Sequence, residues 1–188
     1  MKTEINYKSY LKLDKILTAQ TPLSEEPLEM VFIVAHQTSE MWFKVLIQEL
    51  KGLVDSEKQY YNLDYPRIQL QRITKIFEHL NTLWNIIATM KPEEYENFRT
   101  KLGTASGMQS EQYREIEPLL SQLPKRWYRL NHLIRDVENA FKKWQFSHMK
   151  TVERIIGEQK GTGGTSRVQY LKAAVDKPLY ENYEWKGW

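Results

Sequence analysis

Between its sparse glycines and prolines the chain repeats apolar residues at intervals of three and four, the spacing that lays one apolar stripe along a helix. Leu28, Phe32, His36, Phe43, Leu46 and Leu50 fall on one such stripe. Ile68, Ile73, Ile76, Phe77, Leu80, Leu83, Trp84 and Ile87 fall on a second. The pattern predicts an all-α fold. A short helix is expected over Ser9 to Gln20, stopped at the Thr21 to Pro22 step because a residue before proline is pushed out of the helical region. Ser24 offers an N-cap for the first striped helix, Glu25 and Glu26 suit its first turn, and Gly52 loosens its far end. The second stripe predicts a helix from about Tyr65 to Thr89. Pro92 suits the first position of a short helix carrying Tyr95, Phe98 and Arg99. Gly103 and Gly107 bracket a loop, Gln109 to Leu120 resumes the helical pattern, and Pro124 breaks it. A last long helix is expected from Lys125 to Gly157, followed by the glycine-rich loop GEQKGTGGTS and a short helix at Val168 to Val175. The tail DKPLYENYEWKGW either docks or is disordered.

Composition narrows the class. With 188 residues, no repeat and no Gly/Ser linker, a single domain over residues 1–188 is expected. A formal charge of +3 is no electrostatic footprint for nucleic acid. No apolar run approaches the roughly 20 residues of a membrane span, and the start, MKTEINYKSY, lacks an apolar leader segment. A cytoplasmic protein with neither nucleic acid nor membrane as partner is therefore expected. The absence of cysteine excludes zinc ribbons, thiolate nucleophiles and iron–sulfur clusters, leaving His36, His79, His132 and His148 as ligands for a transition metal. Aromatics make up 12% of the chain, which points to stacked packing or a pocket for a flat ligand.

Several residues invite chemistry. His148 shares a helix face with Phe141, Trp144, Val152 and Ile155, and His36 sits between Phe32 and Phe43. Either one alone reads as a hydrogen-bonded core histidine. Two interior histidines on two long helices of a cysteine-free, aromatic-rich chain also suit a haem sandwiched between them. His36 and Glu40, four apart, form half of a carboxylate metal site without a second half. Tyr95 and Arg99 share a face, with Phe98 beside them; the arrangement suits a carboxylate clamp or an ordinary surface arginine. GTGGTSR, Gly161 to Arg167, matches neither nucleotide-binding glycine motif, which leaves a connector or a loop closing over a small polar ligand through its amides and Thr162. Lys125, Arg126, Arg129 and Arg135 read as a solvated helix face.

Four blocks carry a wider resemblance. NYKSYLKLDKILTAQTPLS, FIVAHQTSEMWFKVLIQEL, EYENFRTKLGTASGMQSEQYREIE and KWQFSHMKTVERIIGEQKGTGGTS resemble, in order, the tryptophan 2,3-dioxygenase family. The resemblance implies a helical haem-binding bundle that adds both atoms of O2 across the indole C2–C3 bond of L-tryptophan or a related indole amino acid, giving N-formylkynurenine. It assigns His148 as the axial ligand of haem b iron and His36 as the distal histidine that meets the indole N–H. Phe32 falls on the pocket wall, Tyr95, Phe98 and Arg99 beside the substrate with Arg99 on its carboxylate, Ser106 near the haem, and Thr162 on the amino-acid end. Tyr7, Tyr10 and Leu11 match positions of an N-terminal arm, residues 1–23, that reaches a neighbouring subunit, so a homo-oligomer, tetramer or dimer, is implied.

The chain departs from the family pattern in three places. Only PLLSQLPKRWYRLNHLIRDVENAF stands where members carry a longer helical segment before the haem helix. Glu26-Pro27-Leu28-Glu29 replaces a His-Asp-Glu run, and Arg167 follows GTGGTS where glycine is usual. Beside dioxygenation, two alternatives stand at this point: a mono-oxygenating relative in natural-product biosynthesis, and a haem- or tryptophan-binding module without turnover.

Overall fold

Helices form where the stripes run, and capping chemistry sets where they end. The computed structural model describes residues 5–55, 63–123, 127–156 and 167–180, and every regular element among them is helical. The first helix departs from expectation. It is two short pieces, α1 (Tyr7–Leu11) and α2 (Leu13–Ile16), because Lys12 between them adopts φ 54° and ψ 39°. That left-handed residue ends α1 by donating its N–H to the Lys8 carbonyl, a conformation that costs a side-chain-bearing residue about 1 kcal/mol.

The next helix corrects the expected cap. Glu26, not Ser24, caps α3 (Pro27–Val54), and Pro27 occupies a first-turn position that needs no N–H. Ser24 turns instead toward Glu29, whose buried carboxylate accepts the Leu23 N–H at 2.8 Å, the Ser24 N–H at 2.8 Å and the Ser24 hydroxyl at 2.5 Å. Nor does Gly52 loosen α3. The helix continues through it, and a Cβ there would lie 3.1 Å from Gln69 Nε2 on α4 (Asp64–Ile87), so glycine allows the two helices to approach.

α4 and α7 (Asn131–Ile156) form the most extensive helix pair, and α3 packs against both α4 and α6 (Glu111–Leu120). Phe43, Leu46, Leu50, Ile73, Phe77, Leu80, Ile134 and Phe141 meet in the core between them. Ile68 is 50% exposed despite its place in the second stripe, since five positions before Ile73 turn it onto another helix face. The last long helix begins at Asn131 rather than Lys125. Before it comes a 3₁₀ turn, Tyr128–Leu130, set by a non-helical Trp127 whose buried indole N–H donates to the Leu53 carbonyl at 3.1 Å. Leu120, Leu123, Trp127 and Leu130 are all buried, so the chain is anchored in the core on leaving α6 and again on entering α7. Pro124 lies outside the described residues.

A second cluster joins Ala35, Ile87, Met90, Ile155 and the α5 (Pro92–Arg99) residues Tyr95 and Phe98. Gly103, at φ 55°, supplies the turn after it. α8 (Arg167–Asp176) rests on α7, and the Lys142 ammonium bonds the carbonyls of Ala174 at 3.0 Å and Lys177 at 2.5 Å at its end. Leu179 and Tyr180 are buried, so the described part of the tail docks on the core. No described helix is long and apolar enough to cross a membrane.

Candidate active site

Where the second cluster stops short of closing, α3, α4, α5, α7, the loop through Ser106 and α8 enclose a cavity of about 440 Å³. That size is ordinary for a small-molecule or cofactor site. Its wall is mainly apolar, with Ile87, Met90, Val152 and Ile155 among the lining residues, and polar groups enter at few points. Two of these points are His36 and His148, residues 112 positions apart in sequence.

On α3, the His36 Nδ1 lies 2.7 Å from the Phe32 carbonyl one turn back. A carbonyl can only accept, so Nδ1 carries the proton. Burial lowers the His36 pKa, partly opposed by that hydrogen bond and by the Glu40 charge. The ring is therefore neutral at pH 7, and Nε2 keeps its lone pair as an acceptor. Phe32 packs on the imidazole at 4.1 Å and meets Phe98 at 5.5 Å and Tyr95 at 6.0 Å, an aromatic wall shared by α3 and α5.

His148 on α7 is more strongly perturbed. Burial, with a smaller contribution from His36, pushes its pKa down to about 3, so this imidazole is also neutral and available as a σ-donor. A planar ring lies against both histidines: Trp84 of α4 stacks on His148 at 4.4 Å with an 8° interplanar angle, and stands edge-on to His36 at 6.5 Å. Trp84 was legible as part of a stripe. Its partnership with His148 was not, because periodicity reports a face and not what meets it.

The other expected residues divide. Phe32, Tyr95 and Ser106 line the cavity with the two histidines. Ser106 Oγ also accepts the Met108 N–H at 3.4 Å, which holds the loop in a 3₁₀ turn. Phe98 is fully buried behind Phe32 and Tyr95, and Arg99 stands off the cavity wall, 13% exposed and 3.3 Å from Glu96. Thr162 lies outside the described residues. Tyr7 and Tyr10 are 76% and 74% exposed, and Leu11 is also exposed. Glu40 does line the cavity but gives its carboxylate to Gln112 Nε2 at 2.7 Å, and among the described residues no group of three or more His, Cys, Asp or Glu could hold a bare metal ion.

A helical bundle that turns two neutral histidines and an aromatic wall into one apolar cavity has the build of a small-molecule or cofactor site. Comparison with known proteins makes this specific. The family model described as tryptophan 2,3-dioxygenase matches residues 1–127 and 121–182. Among curated proteins, the tryptophan 2,3-dioxygenase of Bordetella parapertussis is 33% identical over 257 aligned positions, covering 97% of this chain and 90% of the relative. That of Pseudomonas aeruginosa is 33% identical over 94% of this chain and 86% of its own length, and that of a Bradyrhizobium species 32% over 98% and 92%. The chain belongs to the tryptophan 2,3-dioxygenase family of haem-dependent dioxygenases. Its alignment with the Bordetella protein runs over more positions than the 188 residues of the chain, so that relative has a segment with no counterpart here. The two matched stretches meet at 121–127, the passage that Trp127 pins to Leu53.

Proposed function

We propose that this chain catalyses the dioxygenation of L-tryptophan or a related indole amino acid to N-formylkynurenine or its analogue, with haem b held by His148. The observation that carries the reading is the meeting of two neutral histidines at one apolar cavity. The residues fit the group: a half-buried neutral imidazole donates to iron without first losing a proton, the lining is apolar as a macrocycle requires, and the buried Trp84 indole N–H has no hydrogen-bond partner among the described residues. When bound, haem supplies the oxygen chemistry, and the chain supplies binding, orientation and a dry pocket.

His36 accepts the indole N–H at Nε2, a role its Nδ1 bond to Phe32 prepares by fixing the tautomer. Phe32 and Tyr95 form the wall on which the indole lies, and Phe98 backs that wall. Arg99 takes the substrate carboxylate in a bidentate pair, exchanging its contact with Glu96 for a ligand of matching geometry. Ser106 borders the pocket, and Thr162 takes the amino-acid end. Fixing both ends of the substrate converts an encounter into a positioned reaction, an effect worth up to about 7 kcal/mol in favourable geometry. Tyr7, Tyr10 and Leu11, exposed on the arm, contact a second copy in a homo-oligomer, a tetramer or a dimer.

Aerobic incubation of reduced, haem-loaded protein with L-tryptophan tests the reading by product mass. A gain of two oxygen atoms, both from O2, is expected. A gain of one, or unconsumed tryptophan beside a perturbed haem spectrum, overturns dioxygenation.

A further inference from the structure

The two cavity histidines are oriented by different means. A hydrogen bond to the Phe32 carbonyl, 2.7 Å long, fixes His36. No described hydrogen bond engages either ring nitrogen of His148, although an imidazole that ligates a metal ordinarily gives its second N–H to a carboxylate or carbonyl that fixes its rotation. What meets the His148 ring is aromatic. Trp84 lies parallel to it at 4.4 Å and 8°, and Trp144, one turn back on α7, lies at 5.9 Å and 38°. Trp144 in turn packs on Trp84 at 6.0 Å, on Phe43 at 5.7 Å and on Phe141 at 6.3 Å. A run of rings therefore leads from the core to one face of the imidazole.

We propose that Trp84 is the positioning residue of His148: its indole, stacked face to face, sets the plane in which the axial imidazole stands. The proposal rests on the reading of His148 as the haem ligand. Stacking engages the π faces, whereas ligation uses the lone pair in the ring plane, so both interactions hold at once. An imidazole with no hydrogen bond rotates about χ2 in a broad well, and a parallel indole on one face narrows it. Trp84 is itself placed by ring contacts, since its buried N–H has no hydrogen-bond partner among the described residues. The aromatic face is thus the property of Trp84 that His148 uses, and any aromatic ring of suitable size retains it.

The test compares haem-loaded wild type with Trp84→Phe, which keeps a stacking face, and Trp84→Leu, which fills space without one. Two readouts separate orientation from bulk: the rate of haem transfer to a scavenging apoprotein, and the width of the ferric EPR signal, which broadens when the axial ring samples several planes. Trp84→Leu is expected to lose haem about 10- to 100-fold faster, the scale of removing a ligand's orienting partner, with a broadened signal. Trp84→Phe should stay near wild type in both. Phe and Leu variants that behave alike overturn the proposal. Should the Leu variant lose its helical circular dichroism, Trp84→Met supplies the same contrast with a more adaptable side chain. His148→Ala serves as the control for the underlying reading. Wild-type haem capture by that variant removes the axial assignment and this proposal with it, whereas its loss beside equal Phe and Leu variants overturns the role of Trp84 alone.

Discussion

The Glu29 carboxylate and Ser24 form a double contact, the Ser24 N–H donating at 2.8 Å and its hydroxyl at 2.5 Å, while the Leu23 N–H donates at 2.8 Å. The arm therefore enters α3, the helix of His36, through a buried acid that is 1% exposed.

Burial alone raises the pKa of Glu29, but the Ser24 hydroxyl and the Leu23 and Ser24 N–H groups outweigh it and leave the group below its ordinary 4.5. A depressed carboxylate contributes stability that is present above its unfolded pKa and lost as pH falls through the folded value. Glu29→Gln should cost about 1–3 kcal/mol at neutral pH, because the amide cannot accept all three donors. The difference from wild type should shrink as pH falls from the ordinary 4.5, where the unfolded acid protonates, through the lower folded value, where the native acid follows. Urea midpoints across that range check it, and a gap independent of pH removes the charged form as the cause.

His148 predicts a second acid response. Its folded pKa is about 3, against an ordinary 6.5, so below 6.5 the unfolded chain binds a proton that the native chain refuses. Stability then falls with pH down to about 3, by about 1.4 kcal/mol per unit for one proton. His148→Phe, measured without added haem, should flatten the fall of the urea midpoint between about pH 6 and 4. Parallel curves for variant and wild type would locate that proton elsewhere.

Arg154, six residues beyond His148 on α7, donates through Nη2 to the Ala88 carbonyl and, at 2.9 Å, to that of Met90. These carbonyls end α4 just before α5, so the guanidinium ties the helix of His148 to the turn that aims Tyr95. Arg154→Met should lower stability by about 1.5 kcal/mol, the lower end for charged hydrogen bonds because the residue is solvent-exposed. It should also raise KM for tryptophan. Thermal unfolding and steady-state kinetics report the two effects, and an unchanged melting temperature would remove the tie.

Arg99→Leu isolates the proposed clamp. Loss of the bidentate partner should raise KM for L-tryptophan roughly thirty-fold, about 2 kcal/mol, while tryptamine, which lacks the carboxylate, should bind wild type and variant alike. Arg99→Lys should recover only part of the affinity, since an ammonium does not match the carboxylate fork. Equal losses for both ligands would place Arg99 in structure rather than recognition.

Much of the fold was open to reading from the chain alone. Helices at 27–54, 64–87 and 92–99 follow apolar spacing and proline placement, both of which act within a few residues. Ser24 and Gly52 misled because each was judged by its own preference. A buried acid five residues on takes the serine, and the neighbouring Gln69 uses the space beside the glycine. Lys12 carries no local mark of the left-handed turn it makes.

By itself, the sequence determined the all-α class, the faces of His36 and His148, and membership of a family whose motif blocks survive in order. Tertiary structure decided that these faces share one cavity, that Trp84 lies against His148, and that Phe98 and Arg99 stand behind the wall. Periodicity is a property of one helix, whereas a cavity is made by the angles and distances at which several helices pack. The contact of Trp127 with Leu53 helps set those angles across seventy-four positions, and no window of the sequence contains both partners.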